Sequence, residues 1–198
     1  MSPGRGVRVA EQAVARPRIH ITGASGCGVS TLGAGLAARL GVPWHDTDSY
    51  FWLPTNPAYV TPRPMPERLE RLARALDDEV GWVLSGSLDG WGDALAPRIG
   101  TDIFLRVPGE VRLARLRARE TARFGARIAP GGDMHAGSQE FLAWAASYDS
   151  AGADQRSLVR HEAWLAALPC PVLRLDGGRP AAEVLEAALA GLQGAGRP

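Results

Sequence analysis

The fold of this chain is decided by residues 18–31, RIHITGASGCGVST. The apolar start of this stretch predicts a short buried strand, and leucines spaced four residues apart from Leu32 predict a helix that begins near Ser30. Between them, a glycine-rich turn that starts at Gly23 matches the phosphate-binding pattern G-x-x-x-x-G-K-[ST] at every defined position except one. Val29 stands where the pattern has lysine. Strand, glycine turn and helix in this order predict a site for a nucleotide phosphate.

No other lysine can replace the missing one, because all 22 basic residues of the chain are arginine. The glycines still let successive backbone N–H groups point at one anion, and the helix adds the positive end of its dipole. One positioned donor of this kind is worth about 3–4 kcal/mol in the transition state. The lost charge must therefore come from an arginine, from a metal ion, or from nothing.

The predicted nucleotide contacts are the residues of this loop, and the hydroxyl of Ser30 is also predicted to bind Mg²⁺. They are Gly23, Ser25, Gly26, Cys27, Gly28, Val29, Ser30 and Thr31. The alternative for the segment is a tight glycine turn without a ligand. Cys27 is more typical of a small filler than of a nucleophile.

Two acids, Asp46 and Asp48, follow the second predicted strand. The carboxyl ends of parallel strands form the edge at which open α/β sheets bind ligands, and in an extended segment these two acids would share a face. Phosphoryl transfer needs one acid for Mg²⁺ and one to orient or deprotonate the acceptor hydroxyl. We assign the metal to Asp46 and the acceptor to Asp48, with solvated loop acids as the alternative. Trp52, in the aromatic cluster 49–52, is predicted to line the acceptor pocket, although such clusters are more often core.

Arginines form a stripe along the predicted helix 110–124, at Arg112, Arg115, Arg119 and Arg123. Like charges at these spacings are destabilising, so a bound anion would be a natural partner. Arg127 follows in a glycine-bounded segment, and residues 112–137 are predicted to form a lid. We predict catalytic roles for Arg115, Arg119, Arg123 and Arg127. The alternative is a solvated helix face.

Two further turns are predicted to reach a ligand from the carboxyl edge of the sheet. Gly86 and Ser87 follow the third strand and are placed near the acceptor, whereas the turn 176–180 contains Arg179 and is placed near the adenine. The four histidines show no spacing typical of metal ligands.

Strands and helices alternate along the chain, which predicts a parallel sheet covered on both faces. The predicted strands are 18–22, 42–46, 82–85, 101–107 and 171–175, and the predicted helices are 30–40, 67–80, 110–124, 139–148, 155–168 and 181–192. Residues 1–17 are predicted to be a flexible leader, and residues 18–194 a single domain.

Composition excludes several classes of protein. The net charge of +1 argues against a general binder of nucleic acid or of acidic membranes. Two cysteines form no disulfide framework, and no apolar run approaches the length of a membrane span, so we expect a cytoplasmic protein.

The combined pattern resembles the small P-loop kinases, the group similar to nucleoside and nucleotide-monophosphate kinases that includes adenylate, shikimate and gluconate kinases. It looks most like the adenylate kinase-like, topology-modulation-type proteins, which share G-A-S-G-x-G, an acid pair near aromatic residues and an arginine-rich lid. This resemblance implies a three-layer α/β fold with a five-stranded parallel sheet, and ATP and Mg²⁺ as cofactors. It also implies that Asp48 and Gly86 face the acceptor, that Arg115, Arg119, Arg123 and Arg127 face the phosphates, and that Arg179 faces the adenine.

The first functional hypothesis is therefore a kinase that moves the γ-phosphate of ATP to a nucleotide, a nucleoside or a small metabolite. The second is a nucleotide-binding regulatory or sensor protein with little or no kinase activity, which Val29 favours. A hydrolase or GTPase-type switch is a weaker third, because no guanine-reading motif accompanies the loop. The residues predict neither the acceptor nor the oligomeric state.

Overall fold

The structure is a computed structural model that describes residues 16–78 and 80–195. The predicted leader, residues 1–17, lies outside the described residues except for its last two positions. The described residues form five strands and seven α-helices. They are β1 (Arg18–Gly23), α1 (Val29–Leu40), β2 (Trp44–Asp46), α2 (Thr47–Phe51), α3 (Met65–Ala75), β3 (Trp82–Ser85), β4 (Thr101–Arg106), α4 (Gly109–Phe124), α5 (His135–Ala146), α6 (Leu158–Ala166), β5 (Val172–Asp176) and α7 (Ala181–Ala195).

The strands form one five-stranded sheet in the order β2-β3-β1-β4-β5. Every neighbouring pair is parallel, with Ile21 of β1 opposite Ser85 of β3 on one side and Ile103 of β4 on the other. β1 is therefore central, and the turn that follows it opens at the carboxyl edge of the sheet. The predicted five-stranded parallel sheet is confirmed.

Helices cover both faces of the sheet, as expected for a parallel sheet with a three-layer architecture. On one face, α1 and α7 bury Leu36 and Ala188 in the cluster that contains Ile21. On the other face, Leu72 of α3 belongs to a second buried cluster with Trp82 of β3. In β3, Val83 enters the first cluster whereas Trp82 and Leu84 enter the second, so the register of this strand is fixed by both cores.

A buried polar pair ties the centre of the sheet together. His20 of β1 and Asp102 of β4 are fully buried, and the His20 Nδ1 atom lies 2.6 Å from an Asp102 carboxyl oxygen. The other ring nitrogen, Nε2, donates to the carbonyl oxygen of Gly86 at 2.8 Å. This bond joins β1 to the turn after β3 and holds that turn in place.

Several helix boundaries differ from the predicted ones, for local reasons. The helix α3 begins at Met65 instead of residue 67, because a proline is compatible with the first turn of a helix. The helix α6 begins only at Leu158, because the Ser157 hydroxyl accepts a hydrogen bond from the Arg160 N–H and so caps the helix. Arg156, predicted to be helical, therefore lies in the connection before α6.

The prediction of an extended segment through both acids is wrong. β2 ends at Asp46, and the short helix α2 starts at Thr47. The Asp46 side chain accepts a hydrogen bond from the Asp48 N–H at 3.0 Å, which is the N-cap interaction that turns the chain from strand to helix.

Candidate functional site

The loop between β1 and α1 has the backbone shape of an anion-binding turn. Gly26 and Gly28 have φ angles of +85° and +91°, which favour glycine. A Cβ atom at Gly26 would lie 2.7 Å from the Arg112 carbonyl oxygen, whereas a Cβ at Gly28 would meet no atom within 4 Å. The space outside Gly28 is therefore open. The first turn of α1 contains no acidic residue, so the N–H groups there keep their attraction for an anion.

Cys27 belongs to the packed side of this loop. It is 2% exposed, and burial raises the pKa of its thiol while the field of Arg112 opposes that rise. A protonated, buried thiol is a small apolar filler, as predicted.

The start of α1 is joined to the end of β2 by one hydrogen bond. The Ser30 hydroxyl donates to an Asp46 carboxyl oxygen at 2.7 Å, and the other carboxyl oxygen caps α2. The two residues predicted to bind Mg²⁺ are thus in direct contact. Within the described residues, no group of three or more His, Cys, Asp or Glu side chains lies close enough together to hold a metal ion. A hydroxyl and one carboxylate fit Mg²⁺ only if phosphate oxygens and water complete the coordination.

Asp48 lies in the first turn of α2, two residues after Asp46. The residue is exposed to solvent, although the protein around its carboxyl group removes part of the hydration. Desolvation and, second, the neighbouring Asp46 raise the pKa of Asp48, whereas the fields of Arg156 and Arg119 and a hydrogen bond to the Trp52 side chain lower it. The predicted acceptor acid therefore shares its surroundings with the predicted metal ligand and with two guanidinium groups.

Of the aromatic residues after Asp48, Phe51 belongs to the core, whereas Trp52 lies nearer the surface. Phe51 packs against the second buried cluster, and the Arg68 guanidinium lies 3.7 Å from the centre of its ring. Trp52 is partly exposed and makes an edge contact with Tyr59 at 6.3 Å between ring centres. Trp52 is the aromatic side chain that a ligand beside Asp48 would meet, and its role in the acceptor pocket stays a prediction.

The arginine stripe of α4 is not one surface. Arg112 is 1% exposed, pairs with Asp149 at 2.5 Å and donates to the carbonyl oxygens of Val107 and Ala145, so it anchors the base of α4. Arg115 donates to the Gly177 carbonyl oxygen at 2.9 Å, in the turn after β5.

The arginines further along α4 have different surroundings from one another. Arg119 lies 3.4 Å from a Glu120 carboxyl oxygen and acts electrostatically on Asp48. The Arg123 guanidinium lies 5.2 Å from the centre of the Tyr59 ring. Arg127, in the turn after α4, pairs with Asp133 at 2.6 Å.

The two predicted turns at the sheet edge are largely engaged within the protein. The Gly86 N–H donates to the Ile21 carbonyl oxygen at 3.0 Å, and its carbonyl oxygen accepts the bond from His20. The Ser87 carbonyl oxygen accepts from the Trp91 indole at 2.8 Å. Arg179, in the turn before α7, pairs at 2.7 Å with Glu183 in the first turn of that helix. The ligand contacts predicted for these residues stay predictions.

Arg156 is the site residue that the sequence did not reveal. Its Nη2 atom donates to the Gly23 carbonyl oxygen at 2.7 Å, which places a guanidinium against the phosphate-binding loop. It comes from the connection between α5 and α6, 133 residues along the chain from its partner. No spacing or motif marks this arginine in the sequence, because its position depends on how that connection packs.

A buried histidine behind the site makes the fold sensitive to acid. The Tyr148 hydroxyl and His161 Nδ1 are 2.8 Å apart, and His161 is fully buried. Burial and, second, the field of Arg156 lower the pKa of His161 from 6.5 to about 3. Between these values the unfolded chain binds a proton that the folded chain does not, so the free energy of unfolding falls as pH drops through 6.5. At about pH 4.5 we expect a loss of about 2–3 kcal/mol from this group.

The measurement is urea unfolding of the wild type and His161→Gln between about pH 7 and about pH 4.5. Glutamine can still bond the Tyr148 hydroxyl but does not titrate, so the variant should lose less unfolding free energy over this range. An equal loss in both proteins would show that His161 is not the responsible group.

No helix within residues 16–78 and 80–195 is both long and apolar enough to cross a bilayer.

Solved structures with similar folds are small kinases. Shikimate kinase from Acinetobacter baumannii in complex with shikimate superposes with a TM-score of 0.54 at 16% identity, over 92% of this chain and 96% of that one. A sugar kinase from Janibacter sp. HTCC2649 superposes with a TM-score of 0.50 at 19% identity, over 90% of this chain and 95% of that one. At such identities the likeness establishes the P-loop kinase-like fold alone.

Sequence comparison adds a family. The uncharacterized protein YqaC of Bacillus subtilis (strain 168) is 44% identical over 161 residues, which cover 81% of this chain and 89% of the relative. A family model described as AAA domain matches residues 19–127, the part that contains the phosphate-binding loop, both acids and α4. The chain therefore belongs to the AAA domain family and, within the P-loop kinase-like fold, is a homologue of YqaC.

Proposed function

We propose that this protein is an ATP-dependent kinase that requires Mg²⁺ and transfers the γ-phosphate to a small-molecule acceptor. The observation that carries the proposal is the bond from Ser30 to Asp46, with Asp48 two residues further along the chain. This bond connects the start of α1, where phosphate would bind, to two acids. One acid is suited to Mg²⁺ and the other to an acceptor hydroxyl.

The chain's own residues would divide the work as follows. Backbone N–H groups of the loop and of the first turn of α1 would hold the phosphates, and Ser30 and Asp46 would hold the metal. When bound, ATP would provide the phosphoryl group and Mg²⁺ would neutralise its charge. The Asp48 carboxylate would orient the acceptor hydroxyl and accept its proton, because desolvation and Asp46 make it a stronger base than a free aspartate.

The proposal includes a single catalytic domain, residues 18–194, with a lid at residues 112–137, in a cytoplasmic protein. Arg112 is buried and bonded to three neighbours, so the movable part of the lid would begin after it. Arg123 would be released from Tyr59 when the lid moves, because that contact joins α4 to the segment after Trp52. The finer likeness to adenylate kinase-like proteins is part of the same proposal.

A second function, a nucleotide-binding regulator or sensor without transfer, is supported by Val29. The direct test is product analysis after incubation with Mg²⁺, ATP and a panel of nucleotides, nucleosides, small alcohols and small acids. We expect ADP and one phosphorylated acceptor class in equal amounts. Tight ATP binding without transfer to any acceptor would favour the regulator.

Asp46→Asn should raise the Mg²⁺ concentration needed for half-maximal transfer by about 10-fold to 100-fold. The amide oxygen can still cap α2, and the amide N–H can donate to the Ser30 hydroxyl, so the substitution removes mainly the negative charge. The measurement is a Mg²⁺ titration of the transfer rate at saturating ATP. Asp93→Asn is the matched control, because Asp93 also accepts bonds from neighbouring N–H groups but lies outside the loop. An unchanged Mg²⁺ requirement in Asp46→Asn would remove Asp46 from the metal site.

A further inference from the structure

We propose that Arg156 supplies the positive charge that the phosphate-binding loop lacks at Val29, by contacting the terminal phosphates of the bound nucleotide. This proposal rests on the proposed function, since it needs a nucleotide in the loop. It identifies which of the chain's guanidinium groups replaces an ammonium group at this position.

Arg156 lies against the loop, close to the side chain at position 29. The Arg156 Nη2 atom bonds the Gly23 carbonyl oxygen at 2.7 Å. The side chain at position 29 is directed at the same glycine, because a Cβ atom built on Gly23 would lie 3.4 Å from Val29 Cγ1. A longer cationic side chain at position 29 and the guanidinium of Arg156 would therefore compete for the same part of the loop.

The charge of the Arg156 guanidinium is not balanced by an ion pair within the described residues. The Arg156 Nε atom is buried and has no hydrogen-bond partner among the described residues. Within residues 16–78 and 80–195, no carboxylate lies within ion-pair distance of this guanidinium. Desolvation lowers the pKa of Arg156, and the nearby Asp48 is the strongest influence in the opposite direction. A guanidinium with a buried, unsatisfied N–H and no carboxylate beside it gains from a bound anion, and its forked shape is well suited to phosphate.

The surroundings hold this arginine in place. A narrow cleft of about 10 Å³ lies between the loop and α5, and is lined by Ser25, Arg112, Trp144, Ala145, Tyr148 and Arg156. The Trp144 ring centre is 6.0 Å from the Arg156 guanidinium carbon, and Ser157 caps α6 directly after it. Of the two arginines that line the cleft, Arg112 is already bonded through all three of its nitrogens.

The arginines predicted from the sequence are less well placed for this role. Arg115 bonds carbonyl oxygens after β5, and Arg127 pairs with Asp133. Arg123 lies over Tyr59 on the acceptor side. Among the arginines that the structure describes, Arg156 is the one whose guanidinium donates a hydrogen bond to the loop.

The test measures binding of Mg²⁺ with a non-hydrolysable β,γ-imido analogue of ATP, by calorimetry, so that no acceptor is needed. Arg156→Gln should weaken this affinity by about 10-fold to 100-fold, the loss expected for a charge-assisted hydrogen bond. Arg156→Lys should retain part of it. Arg174→Gln is the matched control, because it removes a guanidinium that pairs with Glu162 of α6 and lies on the edge strand β5, two strands away from β1.

The strongest test moves the positive charge from position 156 to position 29. In the double variant Val29→Lys with Arg156→Gln, the lysine should restore much of the lost affinity. In Val29→Lys alone, two cations would crowd one phosphate site, so affinity should stay level or fall. If Arg156→Gln does not fold, Val29→Lys alone decides: a gain of about 10-fold or more would mean that the charge is missing, and would overturn the proposal.

The remaining outcomes separate this proposal from the proposed function. A wild-type protein that binds no analogue would defeat the proposed function, and this proposal with it. A wild type that binds, with an Arg156→Gln variant that binds equally well, would overturn the role of Arg156 alone. A loss in Arg156→Gln that lysine at position 29 does not repair would make Arg156 a support of the loop, which also overturns the proposal.

Discussion

Asp48→Asn should lower the rate of phosphoryl transfer by about 100-fold to 10,000-fold, the contribution typical of a positioned general base. Asparagine has nearly the same shape, and its N–H can still bond Asp46, so α2 should keep its start. The substitution removes the carboxylate that we propose accepts the proton of the acceptor hydroxyl. Because Asp48 does not belong to the loop, the affinity for ATP should change little.

Single-turnover transfer and calorimetric ATP binding, measured on the same preparations, check this expectation. Asp93→Asn serves again as the control, since it removes a carboxylate charge outside the site. Equal losses in transfer and in ATP affinity would make Asp48 an ordinary binding residue. ATP binding in both proteins with transfer in neither would instead favour the regulator.

Gly86→Ala should lower the free energy of unfolding by about 3–5 kcal/mol, the sum of backbone strain and overpacking. Gly86 has a φ angle of +113°, which side chains rarely adopt. A Cβ atom there would also lie 1.8 Å from Thr47 Oγ1 and 3.0 Å from Thr47 Cβ. Thr47 is buried at the start of α2, so neither residue can move without disturbing the turn that His20 holds.

Two comparisons separate the causes, both by urea unfolding. Gly41→Ala is the matched control, because Gly41 has a φ angle of +67° but no atom within 4 Å of an added Cβ. It should cost only about 1–2 kcal/mol. Adding Thr47→Ala to Gly86→Ala should recover part of the loss, since it removes the closest contact. A Gly86→Ala variant as stable as Gly41→Ala would show that the contact with Thr47 relaxes freely.

The structural elements predicted correctly from the sequence are those that depend on neighbouring residues in the chain. The strand, glycine turn and helix from Arg18 to Leu40 follow from apolar periodicity and from glycine positions, and the parallel sheet follows from the alternation of strands and helices. The start of α2 was not predicted, because β2 was expected to continue past Asp46. The Asp46 side chain instead caps a helix that begins at the next residue.

The surroundings of the α4 arginines could not be predicted from the sequence. Helical spacing correctly places Arg112, Arg115, Arg119 and Arg123 on α4, but it predicts one shared surface. In the folded chain Arg112 is buried, Arg115 reaches the turn after β5 and Arg123 lies over Tyr59. Which partner a long side chain finds depends on the elements that pack around its helix, and these come from distant parts of the chain.

By itself, the sequence determined that β1 runs into a phosphate-binding turn and that the turn has no lysine, because both features belong to consecutive residues and to composition. Only the tertiary structure decided which cation touches that turn. Arg156 reaches Gly23 because the connection between α5 and α6 packs across the carboxyl edge of the sheet. That contact depends on packing between segments far apart in the chain, which no local pattern of residues encodes.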